Sequence, residues 1–540
     1  PIMISNKKSL LALSVASALA LSGCFSDDDN NVVITPPPEP TDPVVVAPET
    51  PTALAFVVSG NVVDVDTVDI VAPATITFFE DGEPTPNLVN VNGDAITQIT
   101  TEDGSYTFTV KEGANVGVVT AVVVADGYFS KSFDIDLSNE DSAATLEAEL
   151  ALVSKGGDEV VEASVSESVA NATTASPVTA AAAKGKAGSD VTVPAGVQLR
   201  DASGNAVTGS SVSLTVGSAD PTSSKISAVL PAGLSAGSTT SIKKPVGVSN
   251  IVMQDNNGTK IKQFSQEIDV SVSLPVATLA PSGDRTIQTG DQFDVSSNNE
   301  DTGKWQSETN KATVGALNAE GTAYKASFKT DHLTFFTLSR SVPICTQGIT
   351  VNVTGDTVPS SGLYVSMTSA DASVSSYLRG GTTSKTVVSA STSARYGISS
   401  SATARVVIRD AAGNVWGNAS STNAEVQVCN GPVSITLANP IQTTVNENVT
   451  VRAVCSNDTT VTEVIPGAIV KYRSSTTKPF RTAANNGDGT FALSALNGDV
   501  ASYAVSVDPR ISAPFTTSIT PDGTDETIDV SVACDTVTGS

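Results

Sequence analysis

The side chains able to do chemistry in this chain of 540 residues are few: one histidine, His332, and five cysteines, Cys24, Cys345, Cys429, Cys455 and Cys534. A lone histidine excludes any zinc site built on two of them and leaves one candidate base for a Ser-His-Asp triad. Aspartate clusters at Asp64-Val65-Asp66, Asp134-Ile135-Asp136, Asp255-Asn256-Asn257-Gly258 and Asn485-Asn486-Gly487-Asp488 offer oxygen ligands. None has the full spacing of a calcium loop, so they read as solvated turns, and no metal or cofactor is expected. A glycosidase would need two carboxylates facing one cleft with aromatic platforms, and 2 tryptophans and 8 tyrosines in the whole chain nominate no such pair. Trp305 reads as a packed core residue. Gly185-Lys186 and Gly380-Gly381 stand in no strand-turn-helix context, so nucleotide binding is unsupported. The expectation is a protein with no catalytic turnover of an external substrate.

Whatever these residues do must be positioned by β-structure. Only 16% of residues are charged and 5% aromatic, and Val, Thr, Ser, Ala and Gly dominate, a composition that favours short strands joined by small-residue turns. The length predicts several compact units. Lys+Arg total 30 against Asp+Glu 56, a net charge of −26, and so acidic a surface repels phosphate backbones, which excludes nucleic acid as a partner.

Near the N-terminus, Lys7 and Lys8 precede an apolar run from Leu10 to Leu21 that is too short to span a membrane stably, the pattern of an export signal. The run ends in Leu21-Ser22-Gly23-Cys24, which resembles the bacterial lipobox. That resemblance implies cleavage before Cys24, lipidation of its thiol and, with Phe25 rather than aspartate following it, delivery to the outer membrane and display at the cell surface. Residues 24–52, rich in aspartate and then proline, read as a disordered, extended tether.

With Cys24 used by lipid, Cys345, Cys429, Cys455 and Cys534 form an even set in an oxidising compartment. Three pairings are open. Cys345 with Cys429 and Cys455 with Cys534 are the expected ones, since each would span about one small sandwich. The segments after each first cysteine look like copies of one plan: Gly362-Leu363-Tyr364-Val365-Ser366-Met367 corresponds to Gly467-Ala468-Ile469-Val470-Lys471-Tyr472, and each copy is expected to close on a strand carrying its second cysteine. Nearer the N-terminus, Glu102-Asp103-Gly104-Ser105-Tyr106-Thr107-Phe108 is followed by Thr120-Ala121-Val122-Val123-Val124-Ala125-Asp126-Gly127-Tyr128. This order resembles the carboxypeptidase regulatory-like, transthyretin-like sandwich, with its Asp-Gly hairpin. The resemblance extends more weakly to Asn486-Gly487-Asp488-Gly489-Thr490-Phe491, whereas residues 345–432 lack that turn and fit a generic immunoglobulin-like sandwich equally well.

Between residues 191 and 340, alternating strands such as Ile268-Asp269-Val270-Ser271-Val272-Ser273-Leu274 lead to Asp331-His332-Leu333-Thr334-Phe335-Phe336. This succession resembles the β-sandwich of cartilage intermediate layer and FAM171-like proteins, and its end resembles the closing strands of ZU5 and GAIN domains. The GAIN resemblance implies self-cleavage at Leu333-Thr334: the Thr334 hydroxyl would attack the Leu333 carbonyl and His332 would carry the proton. The alternative is that these residues finish a core strand.

The domain plan is a signal peptide (1–23), tether (24–52), carboxypeptidase regulatory-like sandwich (53–152), low-complexity linker (153–190), central ZU5/GAIN-like sandwich (191–340), a further sandwich (341–432) and a last carboxypeptidase regulatory-like sandwich (433–540). The fold class is all-β, with tandem transthyretin-like or immunoglobulin-like sandwiches joined end to end. The functional expectation is a lipid-anchored outer-membrane protein that binds a glycan or protein ligand through sandwich-end loops. The alternatives are a scaffold lipoprotein of an outer-membrane complex and a self-cleaving surface protein.

Overall fold

The computed structural model describes residues 43–138 and 145–537. The expected signal peptide, Cys24 and most of the tether lie outside the described residues. The rest is all-β, with one short helix, Ser224–Val229. Among the described residues no helix is long and apolar enough to cross a membrane.

Three sandwiches share one topology. In the first, Val57–Asp64 pairs in parallel with the closing strand Thr145–Leu152 and antiparallel with Ser105–Val110, while Ala74–Glu80, Val118–Val124 and Lys131–Asp136 build the opposite sheet. The same parallel pairing of opening and closing strands joins Ile349–Gly355 to Val433–Leu437 and Thr444–Cys455 to Glu526–Val532. The third unit therefore shares the plan of the other two despite lacking the Asp-Gly turn. Its closing strand follows Cys429 rather than carrying it, which moves the unit's boundary from 432 to about Leu437. The copies noted in sequence do superpose in topology, since Leu363–Thr368 pairs with Thr403–Arg409 as Ile469–Arg473 pairs with Tyr503–Asp508.

The two Asp-Gly turns differ. Gly104 has φ 78°, and Asp103 accepts from Ser105 N and Oγ (both 2.9 Å) and from Thr101 Oγ1 (3.1 Å). Yet Gln98–Thr101 and Ser105–Val110 lie in opposite sheets, so this turn is a corner between layers and no hairpin. The second closes a true hairpin in the last unit, between Ala484–Asn485 and Thr490–Asn497, around Gly487 and Gly489 (φ 86° and 88°).

The expected linker at 153–190 is instead part of the central sandwich. Val160–Ala170 pairs with Ser211–Ala219, and Val178–Lys184 with Ala187–Val193. Val178, Ala180 and Ala182 face the core while their neighbours face solvent. Alanine on both faces conceals the period of two from a hydropathy reading, because its methyl fills a core position without announcing it. The central sheet folds over at Gln292–Asn299, which pairs with Phe335–Pro343 along most of its length and with Ala312–Leu317 at its start. Both layers meet in one core that includes Leu214, Ile268, Phe293 and Phe336.

The units are not strung end to end. The first unit touches each of the others: Lys131 Nζ donates to Ala228 O (2.6 Å), Arg409 pairs with Glu149, and Asn61 exchanges two hydrogen bonds with the Phe480 backbone (2.8 and 3.0 Å). This explains why Val57–Asp64 is buried on both faces. The end of the tether also belongs to the fold, since Val44–Val45 pairs with Thr536–Val537 and Val46 N donates to Asp535 O (2.9 Å).

Candidate functional site

His332 ends the strand Ala323–His332, and Leu333 and Thr334 carry the chain from that strand to Phe335–Pro343. Leu333 and Thr334 are both buried. The Thr334 hydroxyl donates to Asn298 O, on a neighbouring strand, and Leu333 N donates to Lys262 O (3.0 Å). The imidazole turns elsewhere. Its Nε2 lies 3.3 Å from Glu308 Oε1, and its Nδ1 lies 3.1 Å from both Asp331 Oδ1 and Thr330 Oγ1. The bond to Glu308 raises the histidine pKa against a partly buried setting. None of His332, Leu333 and Thr334 has a positive φ. The geometry therefore supports a strand-end clasp, with nucleophile and base each engaged by another partner.

The cysteines form Cys345–Cys429 and Cys455–Cys534, the pairings expected from their separations. Trp305 packs edge-on against Phe335 (centroids 6.2 Å, 88°) and donates from Nε1 to Ala232 O (2.8 Å), which gives it a structural role between segments of the central unit. The aspartate clusters lock turns or pair with bases: Asp255 accepts from Gly209 N, Asn257 N and Thr259 N, and Asp134 pairs with Arg395 at 2.8 Å. Among the described residues no group of three His, Cys, Asp or Glu side chains converges as a metal site.

The structure also forms a site that sequence reading did not nominate. A cavity of about 630 Å³ lies where three units meet. Its first wall is the edge of the first sandwich, Lys131–Asp136 and Thr145–Leu152, each of which has a strand neighbour on only one side. Its second wall is the outer face of Leu363–Thr368 and Ser373–Leu378 in the third unit, and Leu230 to Leu234 of the central unit close it. Leu363, Val365 and Met367 point into the third core, so alternation turns Ser366 and Thr368 toward the cavity and Tyr364 toward Glu147.

The charges around this cavity are largely spent on one another. Glu149 pairs with Arg409, Asp134 with Arg395 and Asp371 with Lys244. Lys131 has no carboxylate partner; burial drives its pKa down to about 7, and its amine sits 4.9 Å from the centre of the Phe133 ring. Burial raises the Glu147 pKa, and Tyr364 donates to its Oε2 at 3.2 Å. The Glu147 carboxylate also lies by Thr482 of the fourth unit, whose hydrogen bonding offsets part of that rise. Burial likewise raises the pKa of Tyr396 on the far wall. The sequence held one signal of this site: Leu146, Leu150 and Leu152 alternate with Glu147 and Glu149, which implies a carboxylate face. The bases that meet that face lie hundreds of residues away in the chain.

No protein-family model and no curated protein matches the sequence. Among solved structures, the chain aligns with the Bacillus anthracis TIE protein at 8% identity and a TM-score of 0.12, covering 78% of this chain and 55% of that one. It aligns with BcpA, the major pilin subunit of Bacillus cereus, at 8% identity and 0.13, covering 89% and 99%. A putative membrane-associated protein of unknown function from Bacteroides fragilis aligns at 11% identity and 0.14, covering 53% and 98%. The chain thus spans about half the length of the first of these, and superpositions at such scores carry no argument about function.

Proposed function

We propose that this chain is a non-catalytic binding protein of the cell envelope, exported, held at the outer membrane by a lipid on Cys24, and engaging a glycan or protein ligand. The observation that carries the reading is the oxidised state of the four cysteines beyond Cys24, closed within two sandwiches as Cys345–Cys429 and Cys455–Cys534. Such bonds persist in compartments outside the cytosol, in keeping with the export signal. The engagement of Thr334 by Asn298 and of His332 by Glu308 supports a passive central unit over a self-cleaving one.

The address is tested by the intact mass, without reductant, of the full chain extracted from its native membranes. Acyl mass and the loss of four thiol protons are expected, with Cys24→Ser losing the acyl mass. Free thiols and no acyl mass would overturn the address. Binding is tested by incubating the purified full chain with whole envelope fractions: saturable retention of a polysaccharide or a protein is expected, and retention of neither overturns the binding reading.

A further inference from the structure

Four hydroxyls stand together on the cavity wall of the third unit. Ser366 is directly opposite Ser375 in the strand register, and Thr368 is opposite Ser373. All four line the cavity, and none of their hydroxyls is hydrogen-bonded to another described residue. Cross-strand neighbours of this kind hold their Cβ atoms about 5 Å apart, so the four make a patch of groups that each donate and accept. In a sheet facing bulk solvent such a patch would be unremarkable; here it faces a half-open cleft whose lining includes the buried Glu147.

The charge pattern selects the ligand. An anion entering the cavity meets Arg395 and Arg409 already held by Asp134 and Glu149, and a cation meets those carboxylates already held by the arginines. At these sites either would have to break a pair, and of the other lining amines Lys131 already donates to Ala228 O and Lys243 to the Ser296 and Ser307 hydroxyls. Each paired group nonetheless keeps spare capacity, since a carboxylate has about four lone-pair sites and a guanidinium five donors. A neutral ligand dense in hydroxyls can use all of these at once, accepting from guanidinium, donating to carboxylate and doing both with serine and threonine. Phe133 and Tyr396, both half-buried on the lining, supply apolar ring surface for the C–H faces of such a ligand.

The geometry points to a binding site for a neutral oligosaccharide in the cavity between the first, central and third units, seated on Ser366, Thr368, Ser373 and Ser375. The inference rests on the binding reading above and adds to it a place and a ligand class. Entry is from the side of exposed Ser375 and Thr386; Glu147 and Lys131 lie deep.

The test is calorimetric titration of the full chain with maltotriose and triacetylchitotriose as neutral probes, trigalacturonate as an anionic probe and a short Val-Thr peptide as an extended one. Saturable binding of a neutral trisaccharide is expected. Ser375→Trp, at an exposed position, should weaken it at least tenfold by filling the cavity, and the Ser366→Ala/Ser375→Ala double variant should weaken it several-fold at unchanged unfolding midpoint. Trp introduced at exposed Glu320, outside the lining, should leave it unchanged. Equal binding by wild type and cavity variants would overturn the site and leave the envelope-binding reading intact. Preference for trigalacturonate or the peptide would overturn the ligand class. Failure of every probe with the wild type would overturn the inference, and the broader reading falls with it only when whole envelope fractions are not retained either.

Discussion

Lys131 carries an amine into the junction of two units with a carbonyl to donate to and no carboxylate to meet. Its pKa falls from 10.5 to about 7, so between those values the unfolded chain holds a proton that the folded chain has released, and stability rises with pH across that window. Below about pH 7 the whole penalty is present. Lys131→Met should therefore stabilise the chain against urea at pH 6, by about 2–4 kcal/mol after the lost hydrogen bond is counted, and the gain should vanish near pH 10. An equal gain at both pH values would show that packing, not charge, is responsible. His332 has the opposite sign. Its pKa is raised by Glu308, so its contribution is complete below the unfolded value and is lost as pH rises through the folded one. His332→Gln should cost about 1 kcal/mol at pH 5.5 and little at pH 9, read as a shift in the urea midpoint. Wild type and Thr334→Ala should both run as one intact chain under denaturing conditions, because the Thr334 hydroxyl is committed to Asn298 O; two fragments in the wild type alone would restore self-cleavage.

At the scale of elements, the period of two made strands such as the one running through Ile268 and Leu274 legible. The disulfide pairs and the correspondence of the third and fourth units were also readable. The segment Val160–Val193 was not, because strings such as Val178-Thr179-Ala180-Ala181-Ala182-Ala183 hold nothing bulky on the buried side to contrast with the exposed side. Ala182→Glu separates the two descriptions. In a linker it would be neutral, whereas at this buried position a carboxylate without a partner should destabilise the central unit by about 3 kcal/mol or more, seen as earlier proteolysis within residues 160–340. The Asp-Gly turn at Gly104 was legible as a turn with a positive-φ glycine, yet its change of sheet was not. Local sequence sets the dihedral angles of a turn, while the layer that receives the next strand depends on where Val57–Asp64 has already packed.

For the molecule as a whole, the arrangement of units depends on charges that no local window pairs. The first unit contributes carboxylates at Asp66, Asp69, Asp134 and Glu149, and the other units answer with Lys225, Lys478, Arg395 and Arg409. A second link holds the third unit to the fourth, where Arg481 reaches Asp410 (3.0 Å) and Ser494 bonds Ser361. Two of these pairs, Asp134–Arg395 and Glu149–Arg409, line the cavity, and each joins residues at least 260 apart in the chain, which is why its residues could be seen in the sequence and its existence could not. The Arg409–Glu149 pair is well buried, and removing one partner of such a pair costs about 3–5 kcal/mol. Arg409→Met should thus loosen the first unit from the third, with an increase in the radius of gyration by small-angle scattering while the far-ultraviolet spectrum stays unchanged. An unchanged radius would mean that the remaining inter-unit bonds suffice.

The ladder between Val44–Val45 and Thr536–Val537 also sets an order of events in time. A chain made from its N-terminus completes Val44–Val45 hundreds of residues before its partner, so this ladder cannot form until Thr536–Val537 has been made. Earlier still, until residue 480 has been made, the double-sided burial of Val57–Asp64 is missing its fourth-unit half, and Asn61 has no Phe480 backbone to bind. A chain that stops short of Glu526–Val532 leaves Thr444–Cys455 without its parallel partner and stays open to proteases. The strand Thr536–Val537 thus acts as a seal: only chains that reach it can lace Val44–Val45 to the fourth unit.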